Sequence, residues 1–144
     1  MKRHYFLTPL FFCSYFLTAN AVQPDQIIGI WKSSSEDLIV KIDKVGNHFQ
    51  GRIIWIEPDG DHQFVLDEKN PVEHLAKMPL KGSKIIKELT FNPNELTWDG
   101  GTFYSYQDGK RYQCRVNLNN ENQIQISKFL TNQQASKAEV WIRQ

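Results

Sequence analysis

Arg111-Tyr112-Gln113-Cys114-Arg115-Val116-Asn117-Leu118 places an apolar or aromatic side chain at every second position and a polar one between. Successive side chains of a β-strand point to opposite faces of the sheet, so this stretch reads as a half-buried strand with one face inward. The same period recurs at Leu38, Val40 and Ile42, and at Ile124 and Ile126 between glutamines. From Ile27 onward, short runs rich in Ile, Val, Phe, Tyr and Trp alternate with Gly, Asn, Asp and Pro, the pattern of an all-β domain. Nine strands are expected, near residues 28–33, 38–43, 48–56, 84–91, 95–99, 102–106, 111–118, 123–130 and 138–143.

The connections carry turn residues: Lys44-Val45-Gly46-Asn47, Asn92-Pro93-Asn94, Asp99-Gly100-Gly101, Gln107-Asp108-Gly109-Lys110 and Asn119-Asn120-Glu121-Asn122. Short turns of this kind join antiparallel neighbours. One long polar interruption, Glu57 to Ser83, has room for a short helix over Val72 to Lys77 after Asn70-Pro71, with Asn70 as its cap. Loops of that length in a small domain usually serve function or cover something. A meander of many strands leaves unpaired edges unless it closes, which points to a single antiparallel up-and-down β-barrel; a two-sheet sandwich is the other arrangement. In a barrel the first and last strands meet, bringing Trp31 near Trp141 and Arg143, with the guanidinium over an indole at the seam.

These residues also resemble a known family. Ile28-Gly29-Ile30-Trp31, Gly51-Arg52-Ile53-Ile54-Trp55, Asp67-Glu68-Lys69-Asn70-Pro71, Pro79-Leu80-Lys81-Gly82, Trp98-Asp99-Gly100-Gly101, Asp108-Gly109-Lys110 with Tyr112, and Trp141-Ile142-Arg143 occur in the order and spacing of an uncharacterised bacterial exported family, domain of unknown function 2147. The resemblance implies a lipocalin-like barrel over nearly all of residues 22–144 and brings no established activity. The chain departs from the family pattern at Ser105-Tyr106-Gln107, which lacks a proline, and at Asn132-Gln133-Gln134-Ala135-Ser136, which lacks a glycine-rich stretch.

Lys2, Arg3 and His4, an apolar run from Tyr5 to Leu17 and Thr18-Ala19-Asn20-Ala21 read as a secretory signal peptide, residues 1–21, cleaved after Ala21. The run holds Pro9 and falls short of the roughly 20 residues that span a bilayer, so the protein is expected to be exported, periplasmic or secreted, and not membrane-spanning. Without Lys2 and Arg3 the basic count drops from 17 to 15 against 16 acids. That balance gives no pull toward nucleic acid or anionic lipid as a whole. Cys114 is then the one remaining cysteine, so no intrachain disulfide is expected and the core must supply stability.

Catalytic patterns are missing. Cys114 lies on the apolar face, where a thiol is inert, and there is no Gly-x-Ser-x-Gly elbow and no dinucleotide or phosphate glycine pattern. Asp99, Asp108 and Glu139 are carboxylates that barrel geometry could bring together. Asp59, Asp61, His62, Asp67, Glu68, Glu73 and His74 crowd the long loop, but their spacing fits neither a calcium loop nor paired zinc ligands, and a solvated acidic loop is the plainer reading. Arg52, Lys81, Lys84, Lys110, Arg111 and Arg115 read as surface solvation. No cofactor and no metal are expected.

Aromatic residues exceed what one core needs, and some, such as Phe103 and Tyr104, alternate onto opposite faces. The surplus is expected to line a cavity, a barrel mouth or a partner surface. Trp55, Trp98, Tyr104 and Tyr112 are the ligand-lining candidates. The leading expectation is therefore a non-enzymatic barrel that binds a small apolar or amphipathic ligand in the cell envelope. An envelope protein–protein interaction module with a filled barrel comes second, and a hydrolase third.

Overall fold

Period-two alternation becomes eight antiparallel strands, each hydrogen-bonded to the next in sequence and the last to the first: β1 (Gly29–Ser33), β2 (Leu38–Val45), β3 (His48–Ile56), β4 (Lys84–Asn92), β5 (Thr97–Ser105), β6 (Lys110–Asn120), β7 (Gln123–Phe129) and β8 (Glu139–Arg143). This closed up-and-down barrel is seen in a computed structural model that describes residue 1 and residues 21–34, 38–57, 65–130 and 138–144. Most of the expected signal peptide, Asp59, Asp61 and His62 of the acidic loop, and the stretch Asn132 to Ser136 lie outside the described residues. No helix among the described residues is long and apolar enough to cross a membrane.

Two expected strands, 95–99 and 102–106, are one. Asp99-Gly100-Gly101 is a bulge within β5 and not a turn: Trp98 faces Val116 and Gly101 faces Cys114, so β5 carries one residue more than β6 between those pairs. A side chain at Gly101 would begin 2.5 Å from the Lys87 carbonyl oxygen, so the strand runs on because glycine lets β4 approach. The helix is also shorter than expected. It spans Glu73–Ala76 (α1) with Val72 as its N-cap, while Asn70 accepts the Val72 amide at 3.0 Å and donates to Asp67 at 2.7 Å, making the turn ahead of the helix.

The inward faces form one continuous cluster. Trp31, Trp98, Trp141, Phe49 and Phe103 are fully buried in it with Ile27, Leu38, Ile42, Ile53, Ile124 and Ile126. Leu80 of the long loop is buried in the same cluster and pins that loop to the barrel. Cys114 is buried as well, and burial pushes its thiol up to about 12, against a weaker opposing effect of Lys128. A thiol held protonated in this way is unreactive.

One end of the barrel is closed by a 3-10 turn, Pro24–Ile27. Its backbone is held by both indoles that reach it: Trp31 Nε1 donates to the Ile27 carbonyl and Trp98 Nε1 to the Pro24 carbonyl, each at 2.9 Å. The seam between β1 and β8 lies beside it, with Trp31 facing Arg143 and Ser33 facing Trp141. The Arg143 guanidinium sits 4.1 Å from the centre of the Trp31 ring and donates to the carbonyls of Ile28, Gln26 and Glu121 at 2.9, 2.7 and 2.7 Å. Gly29 makes room for it, because a side chain there would start 2.3 Å from Nη1. One cation thus joins the strand seam, the closing turn and the β6–β7 turn.

At the other end the inward face turns polar. Lys128, 7% exposed, lies 4.0 Å above the Phe103 ring and 2.5 Å from Glu139 Oε1, while Trp141 Nε1 donates to Glu139 Oε2 at 3.1 Å. A buried pair of this kind balances a large desolvation cost against short-range attraction and contributes little net stability.

Replacing Arg143 with Met should lower unfolding free energy by about 3 kcal/mol, from the lost cation–π contact and three stranded carbonyls. A change at the exposed neighbour Ile142→Thr should stay within about 0.5 kcal/mol. Urea unfolding followed by tryptophan fluorescence measures both; a loss below about 1 kcal/mol for Arg143→Met would mean that strand pairing alone closes the barrel.

Candidate functional site

The expected ligand-lining aromatics do not meet around one space. Trp55 pairs with Ile39 on the outer face, with the Lys32 ammonium 6.0 Å from its ring. Trp98 packs inside the closed end, 5.2 Å from Phe91. Tyr112 stands on the inward side of β6 above Cys114 and donates to Asp108 in the β5–β6 turn. Burial opposes the Asp108 charge, but hydrogen bonds from Tyr112, the Lys110 amide and Ser105 outweigh it and hold the carboxyl below its ordinary value. Tyr104 lines a cleft, and it does so from the outer wall.

That cleft, about 270 Å³ in volume, lies where the long loop folds back over β3, β4, β5 and β6. The loop is fixed there by backbone pairing. Leu66 bridges Pro79, the Asp67 amide donates to the Met78 carbonyl at 3.0 Å, and the Leu80 amide to the Val65 carbonyl at 2.8 Å. Gly82 and Ser83 then pair with Ile53 of β3. A side-chain bond ties the loop to the barrel wall: Tyr104 donates its hydroxyl to Asp67 Oδ1 at 2.6 Å, and Asp67, 6% exposed, takes Asn70 on its other oxygen. The Lys69 ammonium donates to the Gln107 carbonyl alongside. Asp67 through Pro71, expected to set a turn, therefore also latches the loop down.

Burial, and then the hydrogen bond to Asp67 and its charge, push the Tyr104 phenol far above its ordinary value, with Arg111 acting weakly against them. Arg111 lies over the Tyr104 ring at 5.2 Å. The floor of the cleft adds Arg52 from β3 and Lys84 and Lys87 from β4. Arg52 Nη1 donates to the Gly82 carbonyl at 2.5 Å, whereas Lys84 and Lys87 have no hydrogen-bond or ion-pair partner among the described residues. Among the described residues, Asp67 is the one carboxylate in the lining. Ser83 contributes a buried hydroxyl with no partner among the described residues. Leu75, Met78 and Pro79 form an apolar edge, with Leu75 and Met78 exposed.

Of the basic set read as solvation, Arg52, Lys84 and Arg111 are gathered here with Lys87, while Arg115 is paired with Glu95 and Asp99 elsewhere. What sequence reading missed was their common outward face on neighbouring strands. The carboxylates named together do not share a site. Asp99 bonds Asn92, Asp108 bonds Tyr112 and Glu139 pairs with Lys128. Among the described residues no three His, Cys, Asp or Glu side chains cluster in a way that could hold a metal.

Tyr104→Phe or Asp67→Asn should speed hydrogen exchange at the Asp67 and Leu80 amides about tenfold or more, with little change in the core strands. Because the phenol is raised in the folded state, its contribution to stability is present below the ordinary tyrosine value near pH 10 and is lost as pH rises beyond it. Absorbance titration of tyrosinate should show one phenol ionising last in the native protein, and Tyr104→Phe should lack that step; an unchanged titration would contradict the latch.

The chain matches no curated protein. Among solved structures, a protein from the human pathogen Helicobacter pylori, described as belonging to the lipocalin family, has a TM-score of 0.69 over 81% of this chain and 82% of its own. Identity is 22%, so the likeness is one of fold. Residues 29–143 match the family described as uncharacterised protein conserved in bacteria, domain of unknown function 2147. With that match spanning β1 to β8, the chain belongs to this family, and its own fold is a lipocalin-like barrel.

Proposed function

We propose that this protein is an exported, non-enzymatic binding protein of the cell envelope, and that it holds a small amphipathic ligand in the cleft between the outer barrel wall and the long loop. The observation that carries this reading is one cleft with two kinds of wall: the apolar edge of Leu75, Met78 and Pro79 faces the polar floor around Tyr104. The barrel interior offers less. Three tryptophans and two phenylalanines fill it without exposure, and its polar end is occupied by the Lys128–Glu139 pair. Ligand sites join apolar lining to a few placed polar groups, and the cleft, at about 270 Å³, falls just below their usual range of about 300–1,000 Å³. It fits a headgroup with its first few carbons. Among the described residues, nucleophile, base and oxyanion donors do not come together around it, in keeping with the reading of binding without covalent chemistry.

A protein partner is the second reading, favoured by the filled interior and by Leu66, Val72, Leu75 and Met78, all exposed on the loop. The two readings part on what is retained after purification. Native mass spectrometry of the protein purified from the periplasm should show a small adduct that is lost on denaturation. Met78→Asp with Leu75→Asp should reduce its retention about tenfold while moving the unfolding free energy by no more than about 0.5 kcal/mol per site. Trp98→Phe should do the reverse, lowering stability and sparing retention. A bare chain in every preparation, with a protein crosslinked at Met78 in cells, would replace the first reading with the second.

A further inference from the structure

We propose that the polar floor of this cleft is an anion site for a phosphate-bearing headgroup. The inference rests on the ligand-binding reading above and narrows its ligand to one chemical class. Among the described residues, four cations, Arg52, Lys84, Lys87 and Arg111, line one cleft against a single carboxylate. That carboxylate, Asp67, already accepts from both Tyr104 and Asn70, so its oxygens are committed to holding the loop. In a chain whose basic and acidic residues nearly cancel, this is a local excess of positive charge.

The cations differ in how firmly they are placed, and the difference suits an oxyanion. Arg52 is oriented by the Gly82 carbonyl and Arg111 by the face of Tyr104, leaving planar N–H groups of both for a ligand. Guanidinium forks match the paired oxygens of phosphate, while lysines add mobile point charges. Lys84 and Lys87 have no partner among the described residues, and both also border the neighbouring hollow that contains Glu88. Ser83 also lines the cleft, and its buried hydroxyl has no partner among the described residues. A buried polar group without a partner costs stability, so a rotation that brought this hydroxyl to a ligand oxygen would remove that cost. A carboxylate has two oxygens for these donors and a phosphate monoester three, with more charge. The apolar edge at Leu75 and Met78 gives an attached chain a way out of a cleft too small to enclose it.

Titration calorimetry at low salt with octyl phosphate, octyl glucoside and inorganic phosphate separates the outcomes. Octyl phosphate should bind about tenfold or more tighter than octyl glucoside, weaken as salt is raised, and weaken about tenfold again in the Lys84→Gln, Lys87→Gln double variant. Neither lysine has a partner among the described residues, so the thermal midpoint of that variant should stay with the parent. Inorganic phosphate binding as tightly as octyl phosphate, with the same dependence on the lysines, would uphold the anion site, make free phosphate its source and remove the amphipathic reading. Equal binding of octyl glucoside and octyl phosphate, indifferent to salt and to the lysines, would overturn the anion site and leave the amphipathic reading standing. No binding of any of the three would overturn both.

Discussion

Arg143 on Trp31 is the contact through which the barrel closes on itself. An eight-stranded sheet with free edges would expose two rows of unpaired backbone groups, and closure removes them. Only β1 and β8 meet at the seam, and both are short, Gly29–Ser33 and Glu139–Arg143. The guanidinium compensates by donating to backbone on both sides, at Ile28 and Gln26 before β1 and at Glu121 in the β6–β7 turn. Its position depends in turn on the missing side chain at Gly29 and on the indole whose own N–H holds Ile27. Seam, closing turn and interior tryptophans are one cooperative unit.

Closure has a consequence for where anything can bind. With a 3-10 turn across one end and tryptophan and phenylalanine rings filling the middle, the inward face is spent on stability. On the proposed reading the outer wall serves recognition, and the long loop turns part of that wall into a cleft. Because the loop is fixed by Leu80 in the core, by pairing with Ile53 and by the Tyr104–Asp67 bond, the cleft is shaped by fixed elements. Pre-shaped sites lose less entropy on binding.

The fold was legible because its causes are local. Alternation at Tyr112, Cys114, Val116 and Leu118 needs no knowledge of distant residues, and the Asp108-Gly109-Lys110 turn is set by its own chemistry. Even the Trp31–Arg143 contact followed from closure alone. The reading failed at Asp99-Gly100-Gly101, where glycines mark a bulge as well as they mark a turn, and only the approach of Lys87 and Leu89 distinguishes the two. The cleft was not legible. Arg52, Lys84, Lys87 and Arg111 sit on three strands separated by a long loop and a hairpin, and their convergence depends on register and on the loop's path. Aromatic content drew attention to Trp55 and Trp98, which the register places on opposite sides of the wall from one another.

The central claim is that the ligand sits on the outer wall beneath the loop and not inside the barrel. Amide shift mapping by two-dimensional NMR, with octyl phosphate titrated into the labelled protein, tests this most directly. The account predicts saturable shifts centred on Arg52, Ser83, Lys87, Tyr104 and Arg111. Shifts centred instead on the inward residues Phe103, Ile126 and Trp141, with the cleft unmoved, would contradict it.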